Sequence, residues 1–129
     1  MSLFKIDGRP YNVIVPIGGI QRSFEVYSSR QDQTINGKRV YNVVGTYYGY
    51  TITVDTSGTS AEEYDRLFEV ISAPEEWHDF ELPYGQDILK FRGHIEAGGD
   101  TMYTKRGGVS SWGDLTFTVI STRPQRRAL

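Results

Sequence analysis

Two histidines, His78 and His94, and the carboxylates around the first of them are the residues that could carry acid–base chemistry. Glu75, Glu76, Asp79 and Glu81 would supply the paired carboxyls that a general acid and base need. Neither Trp77-His78-Asp79 nor Arg92-Gly93-His94 has the spacing of a metal-ligand motif. No Gly-x-Ser-x-Gly turn presents a nucleophilic serine. The glycine pairs at 18–19, 98–99 and 107–108 lack the lysine, Ser/Thr and helix of a phosphate-binding loop. A hydrolase would have to gather His94, Glu96 and Asp100 into one cleft. The plainer assignment puts both histidines on exposed strands or loops and makes the carboxylates a solvated acidic edge. On that reading the chain is not an enzyme, and no catalytic, cofactor or metal site is assigned.

Two other groups bear on recognition. Tyr41, Tyr47, Tyr48 and Tyr50 stand near Lys38 and Arg39, an aromatic–basic combination that can stack on a sugar or a nucleic-acid single strand. The same tyrosines could instead fill a core and pair across strands. Arg123, Arg126 and Arg127 could meet an acidic partner, order on a neighbouring subunit, or keep a tail soluble. A net charge of -2 supplies no global basic field, so specific nucleic-acid binding is not expected. The absence of cysteine excludes disulfides and thiolate metal sites. No apolar run approaches the ~20 residues of a membrane helix, and the opening MSLFKIDG has no secretory apolar stretch. The expectation is a protein made and used in solution inside a cell.

The elements that must position these residues follow from periodicity. In Gly45–Asp55, Tyr48, Tyr50, Ile52 and Val54 alternate with Tyr47, Thr51, Thr53 and Asp55, the pattern of a half-buried strand. Ile20–Tyr27 alternates as well, with Ile20, Arg22, Phe24 and Val26 on one face, although Arg22 interrupts an otherwise apolar row. Ile88–Ile95 sets Leu89, Phe91, Gly93 and Ile95 against Lys90, Arg92 and His94. Asp114–Ser121 sets Leu115, Phe117 and Val119 against Thr116, Thr118 and Ile120. Asp7-Gly8 predicts a tight turn between Leu3–Ile6 and Tyr11–Val15, and Pro83–Gln86 a turn after Trp77–Leu82. One segment has a helical period. Ser60 with Glu63 forms a capping box, Ala61, Tyr64, Leu67, Phe68 and Ile71 make one stripe, and Pro74 ends the run.

The remaining segments are polar or glycine-rich: Ser28–Lys38, with Asn36-Gly37 near its end, as a hairpin tip, extended arm or mobile loop, and Ala97–Gly113 as a flexible loop or short extra strand. The predicted fold class is mainly β, a two-sheet β-sandwich or partial barrel with one flanking α-helix at about residues 60–72. It forms one domain over residues 1–129, with a flexible tail from about 122.

Several runs resemble small prophage-encoded tail structural proteins of Gram-positive bacteria: RSFEVY at Arg22–Tyr27, VGTYYGYTI at Val44–Ile52, AEEYDRLFEVISAP at Ala61–Pro74, LPYGQ at Leu82–Gln86 and WGDLTFTVISTRPQRR at Trp112–Arg127. Their strand–helix–strand order is also similar to the phage tail-tube fold, shared by tube, distal-tail and baseplate proteins. That resemblance implies a virion tail protein made in the bacterial host cytoplasm, assembling into rings, commonly sixfold, with copies of itself and with other tail proteins. Candidate assembly residues lie in the polar segments and the tail: Arg30, Asp32, Asn36, Gly37, Lys38, Arg39, Tyr103, Lys105, Arg106, Arg123, Arg126 and Arg127. The alternative is a small β-sandwich module that binds a host-surface carbohydrate through its tyrosine-rich strand.

Overall fold

Alternating side chains can bury one face of a strand only if that face meets a second apolar surface. Here that second surface is partly a helix and partly the sheet itself. A computed structural model describes residues 4–11, 13–35, 38–55 and 60–127. The side chains of 28–35, 38–43, 104, 106, 109–111 and 127 lie outside that description. The strands are β1 (Lys5–Ile6), β2 (Arg9–Pro10), β3 (Ile20–Ile35), β4 (Lys38–Val54), β5 (His78–Tyr84), β6 (Asp87–Arg106), β7 (Val109–Ser121) and β8 (Arg126–Arg127). All pair antiparallel in one sheet ordered β2-β1-β5-β6-β7-β4-β3, with β8 also on β4. The single helix, α1 (Ala61–Ser72), lies between β4 and β5 in the chain. The expectation of a mainly β chain with one helix holds, and hydrogen bonding joins the described strands into one sheet instead of two.

The sheet's inner face is concave. Strands two apart in a flat sheet stand about 10 Å from each other. Yet Tyr50 on β4 and Phe91 on β6, which flank β7, stack with ring centroids 5.9 Å apart. The Tyr50 hydroxyl reaches farther, donating to the Pro83 carbonyl on β5 at 2.8 Å. Into this hollow point Ile52, Val54, Phe80, Leu82, Phe91, Leu115, Phe117 and Val119, all buried. The alternation read for β4, β6 and β7 is the alternation observed. On the outer face, Thr53 meets Thr116 at 3.2 Å across the β4–β7 ladder.

The helix closes the hollow. Ser60 accepts from the Glu63 N–H at 3.2 Å, the cap its sequence predicts. Tyr64, Leu67 and Ile71 join the core, whereas Phe68 is half-buried and Ala61 exposed, so the apolar stripe is narrower than its sequence suggests. Phe4 and Tyr11 complete the lid, stacked on each other at 6.4 Å.

The turns obey their chemistry. Asp7 (φ 54) and Gly8 (φ 79) are both left-handed, as a two-residue hairpin with Asp-Gly requires. Gly107 (φ 56) and Gly108 (φ 79) do the same between β6 and β7. Three segments differ from expectation. The strand sought at Tyr11–Val15 is displaced to Arg9–Pro10, and Ile14 bridges Asp55 outside the named strands. Ala97–Gly113 is neither loose nor short: β6 runs through it to Arg106, turns, and returns as β7. The tail is docked as far as Arg127, with the Gln125 N–H on the Thr46 carbonyl at 2.8 Å and β8 paired to Gly45 and Thr46.

Complete burial of Leu67 makes it the helix residue whose truncation should cost most. We expect Leu67→Ala to lower stability by roughly 2–5 kcal/mol and Phe68→Ala by clearly less, measured by urea unfolding of both variants. Equal losses would mean that the helix does not sit as described.

Candidate functional site

The faces of β3 and β4 stay in register beyond the core. Ile20 pairs with Ile52, then Arg22 with Tyr50, Phe24 with Tyr48 and Val26 with Thr46. Ile52 is fully buried and Ile20 packs on the core, but Phe24 is 71% exposed and Val26 51%. The inner face of the β3–β4 ribbon therefore runs out into solvent. There it forms one wall of an open groove of about 470 Å³, lined by Arg22, Ser23, Phe24, Val26, Thr46, Tyr48, Tyr84 and Arg126.

The β5–β6 turn and β8 supply the rest. Tyr84, the last residue of β5, packs edge-on against Tyr48 with centroids 5.3 Å apart, and the two hydroxyls share a hydrogen bond of 3.0 Å. That bond is the largest influence holding the Tyr84 phenol above its ordinary pKa; burial adds to it, while Arg126 and Arg22 pull the other way. The Arg22 guanidinium lies over the Tyr84 ring at 5.4 Å. Arg126 arrives because the C-terminal strand crosses β4 at Gly45. A side chain at Gly45 would collide with the Arg126 carbonyl at 2.5 Å, so glycine is what lets β8 dock. Neither Arg22 nor Arg126 forms an ion pair among the described residues. The groove thus offers two guanidiniums without an ion pair among the described residues, two phenols and an apolar wall.

A second concavity, about 650 Å³, lies at the other end of β5 between the helix exit and His78. Its lining includes Asp7, Glu69, Glu75, Glu76, Trp77 and His78. Pro74, Glu75, Glu76 and Trp77 form an exposed connection between α1 and β5, in which the Glu75 N–H turns back onto the Ala73 carbonyl at 2.7 Å. The Arg92 guanidinium covers one face of the Trp77 ring at 3.5 Å. His78 is buried, contrary to the expectation of an exposed histidine, and its Nδ1 meets Asp7 Oδ2 at 2.7 Å. Asp7 also accepts from the Asp79 N–H at 2.9 Å. Burial pushes the Asp7 carboxyl up, but the hydrogen bonds from His78 and Asp79 outweigh it and leave the group below the usual carboxylate range.

The hydrolase constellation is not assembled. His94 is exposed and bonds the Glu76 carbonyl at 3.1 Å, while Asp100 accepts the Tyr64 hydroxyl at 2.8 Å. Among the described residues no three His, Asp or Glu side chains gather as a metal cage. The tyrosines of β4 also separate. Tyr50 is core, Tyr48 faces the groove, and Tyr47 on the opposite face pairs edge-on with Tyr27 at 6.2 Å; the Tyr41 side chain lies outside the described residues.

Of the candidate assembly residues, Arg126 enters the groove. Tyr103 and Lys105 are exposed on β6, where Tyr103 donates to Asp114 and covers Gly113, and Arg123 is exposed between β7 and β8. Arg30, Asp32, Lys38, Arg39, Arg106 and Arg127 lie on strands, but their side chains fall outside the description, as do Asn36 and Gly37 altogether. Arg22, Phe24 and Tyr84 are groove residues that the sequence-based choice missed. The signal for the first was present as a charge in an apolar row. Comparison with family models finds no match, and comparison with curated proteins finds no significant relative.

Asp7 satisfies the buried His78, so its loss should be felt by the fold. Asp7→Ala should cost about 1–3 kcal/mol at neutral pH. Because the folded pKa is depressed, this contribution is present above the unfolded value near ~4 and is lost as pH falls through the folded one. Urea unfolding of both proteins across the acid range should show the gap closing; a pH-independent gap would refute the assignment.

Proposed function

We propose that this protein is a non-enzymatic structural subunit of a phage or prophage tail, self-assembling in the tube, distal-tail or baseplate region. The observation that carries this reading is the pair of β ribbons that outrun the core. β3–β4 continues past the last buried rung, and β6–β7 does the same beyond Leu115, between Thr101 and Gly113. A ribbon of two strands with no apolar face to bury is marginal in water by itself. These ribbons are long and carry large apolar side chains into solvent: Phe24, Val26 and the bulge residue Val44 on the first, Met102, Tyr103 and Trp112 on the second. Such surface is what a neighbouring subunit buries.

Strand edges support the same reading. β3 closes one side of the sheet over sixteen residues, and among the described residues no strand pairs with its outer edge. A ring requires two different contact surfaces on each subunit, and two separate ribbons supply them. The runs that resemble prophage tail proteins, RSFEVY and VGTYYGYTI, build the first ribbon. The WGDLTFTVISTRPQRR run builds part of the second and the docked C-terminal strand.

Size-exclusion chromatography with light scattering tests the reading. Concentrated protein should run as a closed oligomer, visible as rings in negative stain. The double substitution Met102→Asp and Trp112→Asp, at a cross-strand pair on the second ribbon, should return it to monomer with little change in melting temperature. A strict monomer at millimolar concentration, with or without its neighbouring gene products, would sink the proposal.

A further inference from the structure

The two concavities lie at opposite ends of one strand. Tyr84 at the end of β5 lines the basic groove, and His78 at its start lines the acidic concavity. Seven residues of strand separate them by about 20 Å. The groove carries Arg22 and Arg126, neither of them in an ion pair among the described residues. The far end carries Glu69, Glu75 and Glu76, which likewise form no ion pair among the described residues. The chain is close to neutral overall, so these charges are separated along the molecule.

We infer that the groove between β3, β4, Tyr84 and β8 receives the exposed Pro74–Trp77 segment of a second copy of this chain. This contact rests on the assembly reading above and specifies one of its surfaces. Charge complementarity selects the occupant. Glu75 and Glu76 are adjacent and exposed, in the connection that leaves the helix through the extended cap residue Ala73 (φ -62, ψ 141) and turns where the Glu75 N–H meets the Ala73 carbonyl at 2.7 Å. A segment of this kind can place two carboxylates against two guanidiniums without unfolding anything. Arginine suits the role, because its planar fork binds a carboxylate through two parallel hydrogen bonds. The Tyr48–Tyr84 hydroxyl pair supplies further polar partners at the groove floor, and Phe24 an apolar wall for the Trp77 ring, one face of which Arg92 already covers. Because groove and segment are different surfaces some 20 Å apart along β5, each copy donates at one end and accepts at the other. The contact is therefore head-to-tail, and it closes a ring or extends a filament.

Charge reversal and its repair test this. All four positions are exposed, so the substitutions should leave folding intact, which circular dichroism and melting verify. Arg22→Glu with Arg126→Glu should weaken association by at least about tenfold, and Glu75→Arg with Glu76→Arg by a similar factor. The chain carrying all four changes should regain it. Wild-type association should also weaken as salt rises, since partly exposed charges are screened within about a Debye length. If the wild type associates but neither pair of substitutions weakens it, or the fourfold variant stays as weak as its parents, the contact is refuted while assembly through the ribbons stands. If the wild type is monomeric at every concentration, the assembly reading falls and this contact with it. Should the glutamates in the groove disturb folding, Arg22→Gln with Arg126→Gln gives the same reading: lost association supports the contact, and undiminished association overturns it.

Discussion

Tyr50 marks where this sheet stops being a core and becomes a surface. It is the last fully buried rung on the inner face of β4, stacked on Phe91 and donating to the Pro83 carbonyl across the hollow. Among the described residues, one helix of twelve residues and a short N-terminal segment cover this face. A helix of that length spans about 18 Å, whereas the seventeen residues of β4 extend over roughly 55 Å. The cover must run out, and the fold's other features follow from where it does. Burial raises the pKa of the Tyr50 phenol even with Arg22 nearby pulling it down. That pairing of a buried hydroxyl and an adjacent solvated guanidinium is the boundary itself, seen in the chemistry of two cross-strand neighbours.

The periodic parts of the fold were legible because periodicity is local. Alternation along β4, β6 and β7 assigns the inward residues correctly, and the Ser60 cap and Pro74 bracket the helix. What could not be read depends on pairings distant in sequence. Ser28–Ile35 is polar and has no apolar rhythm, yet it is strand because β4 lies beside it. The glycines of 97–113 suggest flexibility, but Gly98 and Gly113 are small because Phe117 and Tyr103 lie over them. His78 looks like a surface histidine until Asp7, 71 positions away, is placed against its ring.

The groove shows the same division between local and distant signals. Arg22 disturbed the apolar row of β3, and the row was sound; the charge simply stands where the core ends. Tyr84 and Arg126 join it through a hairpin turn and a C-terminal strand, neither of which any local pattern links to β3. The tyrosine-rich strand presented the opposite case. Four aromatics close together suggest one platform, but a strand turns alternate residues to opposite faces, and Tyr47 and Tyr48 part company for that reason. The cross-strand pairing of Tyr27 with Tyr47 and of Tyr48 with Tyr84 uses aromatic area that a stacking platform for sugars would need free.

An uncovered ribbon face beside an open strand edge is ordinarily an aggregation hazard. Unspecific stacking of such faces has no natural end, because apolar contact carries no direction. Direction has to come from charge and shape. Here the apolar residues of the first ribbon are flanked by Arg22 at the root and Arg126 across the groove, so a copy approaching with its own groove meets like charge. A copy approaching with its helix-exit segment meets opposite charge. In the proposed assembly the arginines disfavour groove-to-groove pairing and favour the head-to-tail contact, which leaves a matching pair of surfaces free at the ends. For the assembly proposed above, that asymmetry, more than the amount of apolar surface exposed, is what would set ordered association apart from precipitation.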